Sequence, residues 1–398
     1  MKLKIKKSNL IIIIILWLLC FLIAINAIVG HLHKFIAILF FLMLLLVIAQ
    51  HLQIPRIFSL LAISLFLLKV LVLLLPQINL FAFPDSTHYI NSLNIMISSD
   101  NIGLDSVVKE TGTLQIGYYY FIYFIYNLFK CEYAIVVANT FLTSVSCLLF
   151  YKIVNSDFGN KISFHTFIAS LVSTNLFIFG SFILKDSLVL FLSILALYVY
   201  KNHQKQLLAV MLILILICTV RIYTGFAIGA GILCDMFFNR HSSIKTRYKV
   251  TLVVVGTILF LLIMRINYFK SYFELIVRYE ASNSLLKLIS AVPITLFKFY
   301  FSPLPWNLLE SITIYTFTIT DSVIFWLFSF SLLLFIFKII KYHNLRKKLY
   351  IYIIPILVHA SVLGVEYGGD STRQRMGIFL FLILTLTIGA NYKNKANA

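Results

Sequence analysis

Three short polar stretches hold the residue types that group-transfer chemistry needs: Pro84-Asp85-Ser86-Thr87-His88-Tyr89, Lys185-Asp186, and Gly369-Asp370-Ser371-Thr372-Arg373-Gln374-Arg375. A carboxylate within hydrogen-bond reach can take the proton of an attacking hydroxyl. Arginine and lysine can hold the negative charge that develops on a leaving phosphate, arginine in bidentate fashion. Asp85 is the first candidate base and Asp186 the second. Lys185, Arg221, Arg373 and Arg375 are candidate anion ligands, with Asp370, His88 and Tyr89 as candidate substrate contacts. Charged groups at a bilayer boundary are costly unless they face one another, water or a ligand, so their convergence on one membrane face would make a site.

The elements between these stretches are almost continuously apolar. Over 398 residues, 61% are hydrophobic and 12% charged, which excludes an ordinary soluble domain and indicates an all-α polytopic membrane protein. The formal charge of +19 comes from short loops, with no groove-sized basic patch or arginine-rich arm, so no nucleic-acid partner is expected. Cys20, Cys131, Cys147, Cys218 and Cys234 show no C-x-x-C spacing and are read as packing residues. There is no glycine-rich phosphate loop and no internal repeat.

After Lys2, Lys4, Lys6 and Lys7, the apolar stretch 10 to 29 is too long for a signal-peptide core and is expected to remain as an anchor. Apolar runs predict further spans near 34–53, 57–76, 133–152, 163–182, 250–266, 321–338 and 348–364. Shorter ones fall at 186–201, 206–220, 223–238 and 376–391, for about twelve transmembrane helices in a single domain. A cytoplasmic N-terminus puts about twenty of the basic residues inside, as the positive-inside rule expects, and the C-terminus inside as well. Only Asp157 and Asp235 among the acids then fall on the cytoplasmic side.

Two outer segments exceed simple connectors. The stretch 77–132 includes a tyrosine-rich run, Gly117 to Tyr126, expected as a helix lying in the membrane plane; a short transmembrane helix is the alternative. The stretch 267–320 reads as one or two amphipathic helices on the membrane, ending at Pro303-Leu304-Pro305-Trp306.

Each candidate has a plain alternative. Asp85 can be a helix N-cap, Asp186 a partner of the helix macrodipole, Arg373 and Arg375 interfacial anchors, and Arg221 a turn anchor. His88 suits a structural hydrogen bond, and His359 a bond between helices. Lys69, inside an apolar run, should be paired or snorkelling.

The order Pro84-Asp85-Ser86-x-x-Tyr89, Gly117-Tyr118-Tyr119, Asn139 in a span ending at Gly159, and Lys185-Asp186-Ser187 resembles the GT-C fold glycosyltransferases, of the aminoarabinose transferase and family 39 types. The terminal Gly369 to Arg375 stretch is similar to the arginine motif of such chains. The likeness covers about 77–203 and, loosely, 365–391. The chain departs from it in having three spans before Asp85, Ser86 where a second acid is common, and no soluble C-terminal domain. In size and layout it is also similar to the O-antigen and capsule repeat-unit polymerases. The resemblance implies an inner-membrane enzyme of cell-surface polysaccharide synthesis that uses a polyprenyl-phosphate-linked sugar or oligosaccharide at the outer face. It implies membrane lipids and lipid-linked glycans as partners, no organic cofactor, and leaves a divalent metal open. The alternative from another class is a flippase or secondary transporter, which binds substrate nearer the bilayer midplane.

Overall fold

The computed structural model describes residues 32–75, 83–98, 116–202, 206–238, 285–301, 315–366 and 373–392. The expected anchor at 10–29, the span at 250–266, Asp370, residues 77–82 and 99–115 of the first outer segment and most of the second lie outside the described residues. Within them every element is helical. In chain order these are α1 (Leu32–His51), α2 (Arg56–Leu73), α3 (Pro84–Ser98), α4 (Ile116–Phe129), α5 (Tyr133–Phe158), α6 (Asn160–Val172), α7 (Thr174–Ser181) and α8 (Asp186–Asn202). They continue with α9 (Leu207–Val220), α10 (Ile222–Phe238), α11 (Leu285–Phe301), α12 (Tyr315–Leu327), α13 (Ser329–Lys341), α14 (His343–Glu366), a 3-10 turn (Gln374–Ile378) and α15 (Phe379–Asn391).

Four described stretches are long and apolar enough to cross a membrane: α1, α2, α5 and Gln374–Asn391. Two bent helix pairs, α6 with α7 and α12 with α13, bring the number to six if each pair is one span. The chain is thus a multi-pass, all-helical membrane protein. Two expected spans differ from a straight helix. The run 163–182 breaks at Ser173, with α6 and α7 bent by 57°, and the run 321–338 breaks near Phe328, bent by 56°. The first break has a visible cause. Asp321 on α12 accepts hydrogen bonds from the Ser173 hydroxyl (2.6 Å) and the backbone N–H groups of Asn175 (2.8 Å) and Thr174 (3.2 Å), so a carboxylate from another helix caps the start of α7.

α5 is the centre. Its residues are buried around the whole circumference, against α1, α6, α7 and α8. A helix enclosed on all sides has no polar face, so its hydroxyls bond within the helix: Thr140 to the Val136 carbonyl, Ser144 to Thr140 and Ser146 to Leu142. Gly159, at φ 85°, turns the chain directly from α5 into α6, a conformation that any side chain would strain. Outward-facing Leu212, Phe330, Leu333, Phe337 and Ile340 are exposed, as lipid-facing positions would be.

α4 is a 14-residue helix whose buried side carries Tyr118, Tyr119, Ile122, Ile125 and Phe129. Tyr123 and Tyr126 are only half-buried. The remaining cysteines, Cys131, Cys147, Cys218 and Cys234, are all free.

Candidate active site

The non-helical segment between α7 and α8, residues 182–185, positions the site. Phe182, Ile183 and Leu184 are buried there, outside any helix, and the Phe182 carbonyl takes a backbone bond only from the Leu184 N–H (2.7 Å). Asn139 of α5 supplies donors: its side-chain amide bonds the Phe182 carbonyl (2.6 Å), the Leu184 carbonyl (3.3 Å) and the Tyr118 hydroxyl (3.1 Å). Two carbonyl partners require the NH2 group on that side, which fixes the amide's orientation. Ser86 of α3 donates to the Ile183 carbonyl at 3.1 Å. Held this way, the segment delivers Lys185 and then Asp186, the first residue of α8, where an acid also complements the helix dipole.

Four distant parts of the chain meet at Asp186. Arg221, which ends α9 in an extended backbone conformation, donates Nη2 to Asp186 Oδ1 at 2.7 Å. Arg373, just before the 3-10 turn, donates Nε to Asp186 Oδ2 at 2.7 Å and Nη1 to Asp85 Oδ2 at 2.6 Å. Its planar fork therefore bridges the two carboxylates. Their environments diverge: the Asp186 side chain is 0% exposed with both oxygens engaged, whereas that of Asp85 is 49% exposed. The second oxygen of Asp85 has no partner among the described residues.

Charge does not balance. Among the described residues Lys185, Arg221 and Arg373 face Asp85 and Asp186, three basic side chains against two carboxylates. Lys185 is buried and has no hydrogen-bond or ion-pair partner among the described residues. Burial first, then the neighbouring Arg221 and Arg373 cations, pull its amine down to about 7, with Asp186 and Asp85 opposing. For Arg373, burial opposes the charge, but Asp186 and Asp85 outweigh it and hold the guanidinium above its ordinary value. Arg221 Nε and Arg373 Nη2 are buried without acceptors among the described residues. Unspent donors on clustered cations are where an anion would bind.

The aromatic residues stand behind this cluster. The Tyr89 ring packs edge-on to Tyr118 (4.8 Å) and Tyr119 (5.4 Å), and His88 sits exposed with its ring 6.3 Å from that of Tyr119. Of the residues singled out from the sequence, Asp85, Tyr89, Lys185, Asp186, Arg221 and Arg373 come together, with His88 at the edge.

Arg375 does not join them. It is wholly buried on another side of the turn, donating Nη1 to the Phe299 carbonyl and lying 5.4 Å from the Phe379 ring. Arg373 precedes the 3-10 turn and Arg375 lies within it, so the two side chains leave the backbone in different directions. Lys69 is buried, with its amine 5.9 Å from the Phe177 ring centre. No group of three metal-ligating residues occurs among the described residues.

Sequence reasoning missed three supporting residues. Ser86 was noted only as a departure from an acidic pattern, and Asn139 only as one point of a resemblance. Gln374 went unremarked; its carbonyl accepts from His359 Nε2 (2.9 Å) and Arg221 Nη1 (3.4 Å), and its side-chain oxygen from the Tyr223 hydroxyl. The one available signal was polarity inside apolar runs, as at Asn139 and His359. No protein-family model, curated protein or solved structure matches this chain.

Proposed function

We propose that the protein is a glycosyltransferase of the extracytoplasmic membrane face, with a polyprenyl-phosphate- or diphosphate-linked sugar or oligosaccharide as donor, acting in cell-surface polysaccharide synthesis. The observation that carries the reading is the surplus of basic groups: a buried lysine without a hydrogen-bond or ion-pair partner among the described residues, beside two arginines whose donors are partly unspent there. That arrangement suits an anionic leaving group at the edge of a membrane domain. No nucleotide sugar is available outside the cytoplasm, so a donor there has to travel on a lipid phosphate.

In this reading Asp85 is the general base. It takes the proton of an acceptor hydroxyl as that oxygen bonds to the anomeric carbon of the donor sugar. The bond from that carbon to the phosphate oxygen breaks, and Arg373, Arg221 and Lys185 take up the charge on the departing phosphate. Asp186 is the counter-ion that aligns the two arginines, since both of its oxygens are already occupied. The same reading places about twelve spans in a GT-C-like arrangement in the inner membrane, with both termini cytoplasmic. Repeat-unit polymerisation is one version of this reading, suggested by the resemblance in size and layout.

A second reading, flippase or transporter, draws on the broken pair α6 and α7 and on buried Lys69. One experiment separates them: surface glycan and lipid-linked intermediates from cells lacking the protein, complemented with wild type or Asp85→Asn. Accumulation of a complete repeat unit on lipid at the outer face, unrelieved by Asp85→Asn, supports the polymerase; a glycan missing one sugar supports single-sugar transfer. An intermediate trapped on the cytoplasmic side, or full complementation by Asp85→Asn, overturns the catalytic reading.

A further inference from the structure

Three consecutive carbonyls, those of Phe182, Ile183 and Leu184, are each taken by a buried side chain from elsewhere in the chain. Asn139 takes the outer two from the central helix. The middle one goes to Ser86, which is itself 0% exposed and stands next to Asp85 on the first turn of α3. The residue on the other side of this turn is pinned to the same segment: the Phe83 ring lies edge-on to Phe182 at 5.3 Å and near Phe179 at 5.9 Å. Thus the two residues nearest Asp85 that face inward both fasten to the segment that presents Lys185 and Asp186. Asp85 itself is half-exposed and tied to the cluster through a single oxygen. A carboxylate with so few contacts of its own takes its place from the backbone that carries it.

We infer that Ser86 is a positioning residue: its hydroxyl, by holding the Ile183 carbonyl, sets the Asp85 carboxylate at a fixed place relative to Lys185 and Asp186. The position also accounts for a serine where an acid might stand. A carboxylate at 86 would point at a carbonyl oxygen in a dry site, with two acceptors facing each other. The inference rests on the proposed role of Asp85 as base, and it names no contact between Ser86 and substrate.

The test uses the full chain in membranes, with the lipid-linked glycan extracted from cells lacking the protein as substrate, and hydrogen exchange as a readout that needs no substrate. Ser86→Ala is expected to slow transfer by about 100-fold, the loss typical of a reacting group displaced by about 1 Å. Exchange should quicken in peptides covering 83–98 but not in those covering 133–158 or 186–202. Ser86→Thr, which keeps the hydroxyl, should restore both. If Ser86→Ala does not reach the membrane, Ser86→Cys, close in size and a weak donor, is read the same way. Wild-type transfer by Ser86→Ala, or exchange that rises uniformly across all three regions, would overturn the inference. Asp85→Asn runs beside it: if that variant is fully active, the base reading fails and the clamp loses its object, whereas an inactive Asp85→Asn with an unaltered Ser86→Ala sinks only the clamp.

Discussion

The two ends of α8 each meet a carboxylate cluster, and the two clusters differ in what they leave unspent. At the far end, Asp157 accepts from Lys201 (2.5 Å) and the Tyr352 hydroxyl (2.5 Å), while Lys348 donates to its backbone carbonyl (2.9 Å). Nearby, Tyr200 donates to Asp235 at 2.9 Å. Lys201 and Lys348 balance Asp157 and Asp235 in charge. This cluster ties the ends of α5, α8, α10 and α14, and every one of these groups has a partner. At the near end, about 22 Å away along α8, three basic side chains meet two carboxylates, Lys185 lacks a partner among the described residues, and Asp85 is half-exposed. Matched, fully paired charges brace helices; a surplus with free donors is equipped for a ligand.

The largest expected effect tests that distinction directly. Asp85→Asn should cut glycan product by 100-fold or more, within the range of about 10²–10⁴ for loss of a general base, while Asp157→Asn leaves it within a few-fold. Both are read by quantifying surface glycan at matched levels of protein in the membrane. Equal losses would dissolve the contrast between site and brace.

Stability should respond in the opposite order to catalysis. Asp186→Ala strands Arg221 and Arg373 as buried charges facing each other and should cost about 3–5 kcal/mol, visible as a lowered unfolding midpoint in detergent. Asp85→Ala removes one contact to a half-exposed carboxylate and should cost less than about 1 kcal/mol after solvent screening. Asp157→Ala, losing two partners at the edge of the bundle, should fall between, at about 1.5–3 kcal/mol.

The smallest effect is a pH dependence. The Lys185 amine, drawn down to about 7, is charged below that pH and neutral above it. Binding of a short-chain prenyl diphosphate, followed by titration calorimetry, should therefore weaken as pH rises through about 7, and Lys185→Met should flatten the profile. For folding the sign is reversed. Because the folded-state value lies below the ordinary 10.5, the unfolded chain holds more protons between about 7 and 10.5, and this group's contribution to stability rises with pH across that window. A binding profile insensitive to Lys185→Met would remove the amine from the site.

By itself the sequence determined the class of the molecule and most of its helices. Hydrophobic runs of span length leave a chain little choice in lipid, where every backbone polar group must bond internally, so the positions of α1, α2, α5, α8, α9 and α10 were legible within a few residues. It also marked the charged residues as exceptional, since a charge in such a setting demands a reason. It did not show the break at Ser173, because hydropathy is blind to a helix capped by Asp321 from 146 or more positions away. Nor did it separate Arg373 from Arg375: both sit in one polar stretch, and only the 3-10 turn sends one guanidinium to Asp186 and the other to the Phe299 carbonyl. Ser86 and Asn139 were ordinary letters until the fold put the carbonyls of a non-helical segment in front of them. Composition and periodicity report what each residue costs in lipid, a local quantity; which charges share partners and which are left over depends on distances between residues as much as 288 positions apart, and only tertiary structure sets those.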